Sequence, residues 1–313
     1  MEPVNPNASP AARALLDALY AVQGKGILTG QHTQTVPAEE VAHIRRLTGR
    51  EPKLRGFELL GYSPNINYGD ASPACLTEVS ENRGTLEAAL DWARSADGVV
   101  TMTFHWFSPL GGRDKSFYAE NTDFDAARIL VEGSEERAAF YRDMDAIADL
   151  LEPFCQADVP ILWRPFHEAD GAWFWWGAKG PAVAKELYKL MFHHYTRVRK
   201  LHNLLWVWNC RLAEGWPGDE YVDVVSVDVY LSQYAPTDYA AEYAALREAT
   251  GSGKVAALAE VGYLPDIALL ERSQVPWAYY MCWSKEFCLG EQYNSDAALR
   301  RLYASPYAIS LPE

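Results

Sequence analysis

The sequence predicts a single-domain α/β fold, a (β/α)8 barrel of eight parallel strands with helices outside. Three observations support this prediction. The chain has 313 residues, of which 49% are apolar, enough to form one large packed core. Eight short apolar runs recur along it, and helical patterns lie between most of them. A doubly wound parallel sheet is the alternative, but it would usually carry a glycine-rich first turn, which this chain lacks.

Each predicted strand is a run of apolar and β-branched residues that ends in polar or aromatic residues. The chain has no low-complexity segment and no long Pro/Gly/Ser linker, so we expect residues 1–313 to form one domain, with its strands within about 24–285. In chain order the predicted strands are Gly26–His32, Lys53–Leu59, Gly98–Trp106, Pro160–Glu168, Leu204–Cys210, Val222–Tyr230, Lys254–Gly262 and Trp277–Lys285.

The predicted helices show apolar residues every three or four positions, the spacing of one helix face. The clearest is Ala182–Lys200, whose face we predict from Val183, Leu187, Met191, His194, Val198 and Leu201. The segment between the fifth and sixth strands has little helical pattern. The other predicted helices are Ser9–Val22, Ala38–Leu47, Thr85–Ser95, Ser134–Leu151 and Asp238–Ala249.

Composition narrows the class of protein. The net charge is −14, and a chain this acidic without a basic cluster is not expected to bind nucleic acid. No run of about 18 apolar residues predicts a membrane span, and the first twenty residues do not resemble a signal peptide. We therefore expect a cytoplasmic protein as written, or a secreted one if the sequence is a trimmed mature form. The five cysteines include no C-x-x-C pair, so neither a disulfide framework nor a zinc ribbon is indicated.

Polar and aromatic side chains collect at the predicted strand ends. In a (β/α)8 barrel the chemistry lies at the carboxyl ends of the strands. A strand end that simply turned into a loop would carry Gly, Asn, Asp or Ser, whereas here large aromatic residues stand beside carboxylates. The residues at these ends are His32, Glu58, His105, Trp106, His167, Glu168, Asn209, Asp228, Tyr230, Glu260, Trp283 and Lys285.

Glu168 lies in a segment rich in aromatic residues. Residues 163–177, WRPFHEADGAWFWWG, contain four tryptophans and two phenylalanines around one His-Glu pair. A carboxyl group in an apolar pocket has a raised pKa, as a general acid requires. The flat faces of Trp173 and Trp176 suit stacking on sugars in the same cleft. The alternative is a core-filling loop in which Glu168 pairs with Arg164.

Glu260 is an acid at the end of a strand otherwise made of alanine, valine and leucine. Taken alone, it could cap a loop or pair with an arginine of the barrel. Taken with Glu168, it gives two carboxylates on separate strands of one barrel mouth, which is what glycoside hydrolysis uses.

Other chemistries lack their motifs. His167-Glu168 does not begin an HExxH zinc site, because Gly171 stands four residues after the histidine. The chain has no G-x-S-x-G elbow and no Walker loop. We therefore expect neither a metal nor an organic cofactor.

Three segments of the chain resemble glycoside hydrolase family 26, which is best known for endo-β-1,4-mannanases. The resemblance rests on Gly30-Gln31-His32, Trp163–Gly177 and Leu258–Gly262, on the first, fourth and seventh predicted strands, and runs from about Gly24 to about Lys285. The RPFHE-x-x-G-x-WFWWG segment is long and specific.

The resemblance implies a retaining glycosidase with Glu168 as acid/base and Glu260 as nucleophile. It implies that His167 helps to hold the sugar beside the acid/base. Asp228 and Tyr230 alternate along their strand, so both can face the nucleophile; a buried strand acid with a local partner is the alternative. The remaining sugar-contacting positions implied by the resemblance are His105, Trp106, Trp173, Asp228, Tyr230 and Trp283.

We therefore expect a monomer that hydrolyses mannan, glucomannan or galactomannan internally, by double displacement. The loop Ala169–Ala172 departs from the pattern of many mannanases of the family, and the run Ser108–Tyr118 is unusual. One alternative stays open for this reason: the same chemistry on mixed-linkage β-glucan or β-1,3-xylan. A second alternative is a carbohydrate-binding barrel that has kept the aromatic residues and lost catalysis, although the presence of both glutamates argues against it.

Overall fold

A barrel of parallel strands forms the centre of the structure, a computed structural model that describes residues 1–312. Eleven strands lie in this part of the chain. They are β1 (Ile27–Leu28), β2 (Gly30–Thr33), β3 (Arg50–Pro52), β4 (Leu54–Glu58), β5 (Val99–Thr103), β6 (Ile161–Arg164), β7 (Leu204–Asn209), β8 (Val224–Val229), β9 (Val255–Val261), β10 (Trp277–Cys282) and β11 (Ala308–Pro312).

Eight of these strands close into the predicted (β/α)8 barrel. Their order is β2-β4-β5-β6-β7-β8-β9-β10, every neighbouring pair is parallel, and β10 pairs with β2 to complete the circle, with Cys282 opposite Gln31. Parallel closure brings the carboxyl ends of all eight strands to one face. The prediction of the fold class is confirmed.

The helices pack around this barrel. They are α1 (Pro10–Val22), α2 (Glu39–Thr48), α3 (Pro73–Asn82), α4 (Thr85–Ala96), α5 (Glu135–Gln156), α6 (Pro181–His193), α7 (Ala240–Thr250), α8 (Ile267–Ser273) and α9 (Asp296–Ala304). Several begin where a side-chain oxygen accepts a backbone N–H of the first turn, as Ser134 does for Arg137 at 3.1 Å. Among these helices, none combines the length and apolar character needed to cross a membrane.

The first predicted strand, Gly26–His32, is divided into β1 and β2 at Thr29. The Thr29 hydroxyl donates to the Ile309 carbonyl at 3.0 Å and accepts the Lys53 N–H at 3.1 Å. A Cβ at Gly30 would lie 2.0 Å from the Tyr280 carbonyl oxygen, so a glycine is required for this close approach. β1 pairs with both β10 and β11, and β11 pairs antiparallel with β3. The C-terminal strand thus covers the site where the barrel closes.

The long predicted helix Ala182–Lys200 differs from the structure. The α-helix α6 ends at His193, and residues 194–198 form a π-helical turn. A π turn has a wider hydrogen-bond spacing than an α turn, so residues within it depart from the predicted helical face. Val198, predicted to face the core, is accordingly 65% exposed, whereas Leu201 beyond the turn is buried as predicted.

The fourth predicted strand, Pro160–Glu168, is shorter in the structure. β6 ends at Arg164, and the chain then turns through Phe166 (φ 54°) and Glu168 (φ 52°), both in the left-handed region. His167 and Glu168 therefore lie in the turn that follows the strand. This turn lifts the Glu168 side chain from the barrel interior to its mouth.

Candidate active site

Arg164 connects the carboxylates of two other barrel strands. Its side chain is fully buried at the end of β6; Nη1 donates to Oδ2 of Asp228 at 2.7 Å, and Nη2 donates to Oε1 of Glu260. Nη2 also donates to the Thr103 hydroxyl at 3.0 Å. Burial lowers the pKa of Arg164, but Asp228 and Glu260 outweigh that effect and the net shift is upward. Arg164 is thus a permanent cation under the site.

Asn209 joins this ion pair to the turn that carries Glu168. Its Nδ2 donates to Oδ1 of Asp228 at 2.8 Å, and its Oδ1 accepts the backbone N–H of Glu168 at 2.6 Å. A non-glycine residue in the left-handed region costs about 1–3 kcal/mol and persists where its surroundings hold it. Asn209 supplies part of that hold, so the position of Glu168 depends on the buried network.

The Glu168 carboxyl group accepts a hydrogen bond from the edge of an indole ring. Trp173 Nε1 donates to its Oε2 at 2.7 Å. Burial, assisted by the nearby Asp228 carboxylate, raises the pKa of Glu168 to about 7, although Trp173, Arg164 and His105 oppose the rise. A carboxyl group with this pKa holds its proton near neutral pH and can also give it up, as an acid/base catalyst must.

Glu260 is held from both sides. Arg164 donates to Oε1, and the Tyr230 hydroxyl donates to Oε2 at 3.0 Å. Burial raises the pKa of Glu260, and the Arg164 cation opposes that rise. Since both donors bind the ionised form, Glu260 is oriented as a carboxylate, with its two oxygens fixed in place.

Three histidines and one tryptophan form the wall beside these carboxylates. The rings of His105 and His167 lie 4.6 Å apart, and His32 stacks on Trp283 at 3.9 Å. Burial lowers the pKa values of His32 and His167, so both are neutral. His105 differs, because its Nδ1 lies 2.8 Å from Oε2 of Glu58. Burial lowers the pKa of His105, but Glu58 outweighs this effect, and the pKa lies above its usual value.

Two predicted binding residues present open aromatic faces. Trp173 is 47% exposed and Tyr230 is 44% exposed. The Trp173 ring lies over Gly171, where a Cβ would come within 2.2 Å of a ring carbon. Trp283 is half-buried against His32. These three side chains line the site together with Glu168 and Glu260.

Trp106 and Trp176 lie behind the site, which contradicts the prediction that they contact substrate. Trp106 is 1% exposed and donates to Oδ2 of Asp143 at 2.9 Å; Trp176 is 0% exposed and donates to the His167 carbonyl at 2.8 Å. Neither ring has a face open to a ligand. Both pack behind the site, where Trp176 supports the backbone of His167.

Three supporting residues were not assigned roles from the sequence. Glu58 and Asn209 stood among the strand-end residues without a function, and Arg164 appeared only as a partner proposed for Glu168. The structure pairs Arg164 with Glu260 and Asp228 instead. A signal was available: Arg164 ends an apolar strand, and a buried arginine in a barrel requires carboxylate partners.

Metal-ligating side chains do not converge in this site. Across residues 1–312, no group of three His, Cys, Asp or Glu side chains is arranged to hold a metal ion. Four of the five cysteines are buried and all are free thiols.

A parallel barrel that brings two glutamates and open aromatic rings together at its mouth belongs to the structural class of glycoside hydrolase barrels. The comparisons narrow the class. The model of glycosyl hydrolase family 26 matches residues 4–313, and the chain therefore belongs to glycoside hydrolase family 26.

Curated relatives match nearly the whole chain. A mannan endo-1,4-beta-mannosidase of Thermothelomyces thermophilus is 36% identical over 99% of this chain and 62% of its own length. Mannan endo-1,4-beta-mannosidases A and B of Piromyces are 30% and 29% identical, again over 99% of this chain. The chain spans 50% and 53% of those two proteins, so it covers about half the length of each.

Solved structures agree with the family. A Podospora anserina GH26-CBM35 beta-(1,4)-mannanase has a TM-score of 0.87 and 35% identity, over 99% of this chain and 68% of that one. A beta-mannanase from a symbiotic protist of the termite Reticulitermes speratus, complexed with a gluco-manno-oligosaccharide, also has a TM-score of 0.87, with 28% identity over 99% and 96% of the two chains.

Proposed function

We propose that the protein is a retaining endo-β-1,4-mannanase that uses Glu168 and Glu260. The observation that carries the proposal is the different environment of the two carboxyls. Burial raises the pKa of Glu168 to about 7, whereas Glu260 receives donors on both oxygens. One group is suited to carry a proton and the other to attack, which is the division of labour in retaining glycosidases.

In the first step Glu260 attacks the anomeric carbon while Glu168 protonates the leaving glycosidic oxygen. The new bond joins the anomeric carbon to a Glu260 oxygen, and the bond to the leaving oxygen breaks. Arg164 and Tyr230 fix the direction of the attacking carboxylate. The cation of Arg164 also limits the cost of the negative charge on Glu260 before the reaction.

In the second step Glu168, now ionised, takes a proton from water, which attacks the anomeric carbon and releases Glu260. The second inversion at the same carbon restores the original β configuration. A pKa of about 7 suits both roles, because the free energy difference between protonated and ionised Glu168 is small near neutral pH.

We assign the sugar contacts to the aromatic and polar groups around these carboxyls that keep an open surface. Trp173 and Trp283 provide apolar faces, Tyr230 borders Glu260, and the His105 side chain is 14% exposed. His167 is 1% exposed and the Asp228 carboxylate is held by Arg164 and Asn209, so these two predicted contacts support the site from behind. The named activities of the relatives support mannan as the substrate.

Two other functions make different predictions. A mixed-linkage glucanase or β-1,3-xylanase would use the same carboxyls on another polymer. A binding barrel without catalysis would have no reason to hold Glu168 in a left-handed turn with a hydrogen bond from Trp173. The paired environments of Glu168 and Glu260 therefore favour an enzyme.

A substrate panel tests the proposal. Glucomannan, galactomannan, lichenan and β-1,3-xylan would each be incubated with the protein, and new reducing ends and product sizes measured. We expect short oligosaccharides from both mannans, and ¹H NMR of the first product should show the β-anomer. The Glu168→Ala/Glu260→Ala variant is the control for contaminating activity. Preferential cleavage of lichenan or xylan, or an α-anomer first, contradicts the substrate or the mechanism, respectively.

A further inference from the structure

Glu58 has a buried carboxylate, and most of its hydrogen bonds are with His105. Oε1 accepts the backbone N–H of His105 at 2.7 Å and that of Leu60 at 3.0 Å, and Oε2 lies 2.8 Å from Nδ1 of His105. Its side chain is fully buried. Two of these three contacts lead to His105, so Glu58 fixes both the backbone and the ring of that residue.

This contact determines one proton on the ring. Oε2 of a carboxylate can only accept, so Nδ1 of His105 must carry a hydrogen. Nε2 lies on the opposite edge of the ring, and the side chain keeps 14% of its surface exposed. The ring is therefore oriented with its second nitrogen away from Glu58 and toward the open part of the site.

The charged groups around His105 come from four strands. Glu58 is the last residue of β4, Glu168 lies in the turn after β6, and Glu260 lies on β9. The negative charges of all three carboxylates favour the protonated form of the His105 ring. His167 from the same turn and His32 from β2 oppose it only if they are charged, and both are neutral. The Arg164 cation on β6, which lowers the pKa values of His32 and His167, is itself paired with Asp228 and Glu260. The Glu58 carboxylate in direct contact with Nδ1 outweighs burial, and the pKa of His105 lies above its usual value, so we expect the second nitrogen to carry a hydrogen as well.

We propose that Glu58 is a positioning residue, which holds His105 as an imidazolium whose Nε2–H donor and positive charge serve Glu168 and Glu260. This inference rests on the proposed function, because it assigns the charge a role between the two reacting carboxyls. The His105 cation stabilises ionised Glu260 and ionised Glu168 and lowers the pKa of each. Without it, more of Glu260 would be protonated at acidic pH and unable to attack.

The protonation state can be measured without any substrate. We would label the histidines with ¹⁵N and follow both ring nitrogens of His105 from pH 5 to pH 9, with His105→Gln assigning its signals. At pH 6.5, the usual midpoint, we expect both nitrogens of His105 to be protonated and those of His32 and His167 to show neutral rings. A neutral His105 ring at this pH overturns the proposal, whether or not the protein cleaves mannan.

Variants then test the connection to the carboxyls. Glu58→Gln keeps the size and removes the charge, and we expect kcat/KM on mannan to fall about tenfold to a hundredfold, the range seen when the partner that orients a metal-binding histidine is removed. The acid limb of kcat/KM should move to higher pH, because Glu260 loses the nearby cation. His105→Gln should shift the limb in the same way, and the double variant should add little, since both changes remove one interaction.

Two controls separate positioning from folding. Glu271→Gln removes the same charge from an exposed position on α8 and should leave the pH profile unchanged. Glu58→Asp keeps the charge, and we expect it to restore part of the rate and the original acid limb.

If Glu58→Gln lowers activity with an unmoved acid limb, or if its effect adds fully to that of His105→Gln, Glu58 supports the fold alone and the proposal is wrong. Inactivity of the parent protein on every polysaccharide would instead contradict the proposed function and leave the NMR result to decide this inference.

Discussion

Trp173 donates a hydrogen bond of 2.7 Å from its indole nitrogen to Oε2 of Glu168. The same ring is 47% exposed at the mouth of the barrel. The Trp173 side chain therefore offers an apolar face to a sugar and also lowers the pKa of Glu168, the group proposed to protonate the glycosidic oxygen. These two effects can be separated by substitution.

Trp173→Phe should shift the pH dependence. A hydrogen bond to the carboxylate favours ionisation, so its loss should raise the pKa of Glu168 further above about 7. The proton is then retained to higher pH, and the alkaline limb of kcat/KM should move upward. Initial rates from pH 5 to pH 10 measure this. Gly171→Ala, which places a methyl group 2.2 Å from a ring carbon, should displace the indole and move the limb in the same direction. An unchanged or lowered limb in Trp173→Phe contradicts the role of this hydrogen bond.

Leaving-group dependence should separate the two glutamates. A good leaving group departs without protonation, so Glu168→Ala should be severe on mannan and much milder for glycosylation from a dinitrophenyl mannobioside. The glycosyl-enzyme should accumulate, and azide should accelerate turnover because it needs no general base. Glu260→Ala should be slow on both substrates and yield at most an inverted α-azide. If the leaving-group dependence is found for Glu260→Ala and the inverted azide product for Glu168→Ala, the two glutamates have exchanged roles. If neither substitution lowers the rate by about tenfold, roughly 1.4 kcal/mol in barrier height, the chemistry takes place elsewhere in the barrel.

Arg164→Met should destabilise the fold. It would leave Asp228 and Glu260 buried without the cation that both contact, and removing one partner of a buried ion pair costs about 3–5 kcal/mol. Urea unfolding at pH 7 measures the free energy of unfolding. Arg272→Met, at an exposed position on α8, is the matched control and should remain close to the parent. Equal stability of the two variants would show that the buried carboxyls do not require Arg164.

Asp223 should make stability depend on pH. Its fully buried carboxyl accepts the N–H groups of Val4 at 2.8 Å and Trp206 at 2.9 Å, and burial raises its pKa to about 6. The unfolded value is about 3.9. The folded state therefore binds the proton more tightly, and this contribution is fully present below about pH 4 and is lost as the pH rises through about 6.

The two-unit difference corresponds to about 3 kcal/mol. Urea unfolding of Asp223→Asn and of the parent at pH 4, 5, 6 and 7 isolates the contribution of Asp223 to the free energy of unfolding, since the variant lacks the titrating group. We expect the parent to lose stability relative to the variant over this range. A constant difference between the two proteins would contradict the raised pKa.

The barrel could be predicted because each of its strands is buried on both faces. Such strands appear in a sequence as continuous apolar runs, and the eight predicted runs correspond to the eight barrel strands, apart from the break at Thr29. The helices α3, α8 and α9 were not predicted; α8 has seven residues and buries only Leu270, and the buried face of α3 has only two apolar residues, Cys75 and Val79.

The candidate site was only partly predictable, because some of its residues, such as Glu168 and Trp173, lie beyond the regular strands. Alternation of side chains tells which face a residue occupies only while the backbone stays extended. Trp106 follows β5 and Trp176 follows the turn through Phe166 and Glu168, where that rule no longer applies. A tryptophan beside a carboxyl in sequence can therefore lie behind the site as readily as in it.

The left-handed backbone of Glu168 has an evolutionary consequence. A glycine would occupy this turn without the steric cost that any side chain incurs, so selection for stability alone favours losing the glutamate. Under the proposed function, the carboxyl group of Glu168 justifies in activity what its φ of 52° costs in stability.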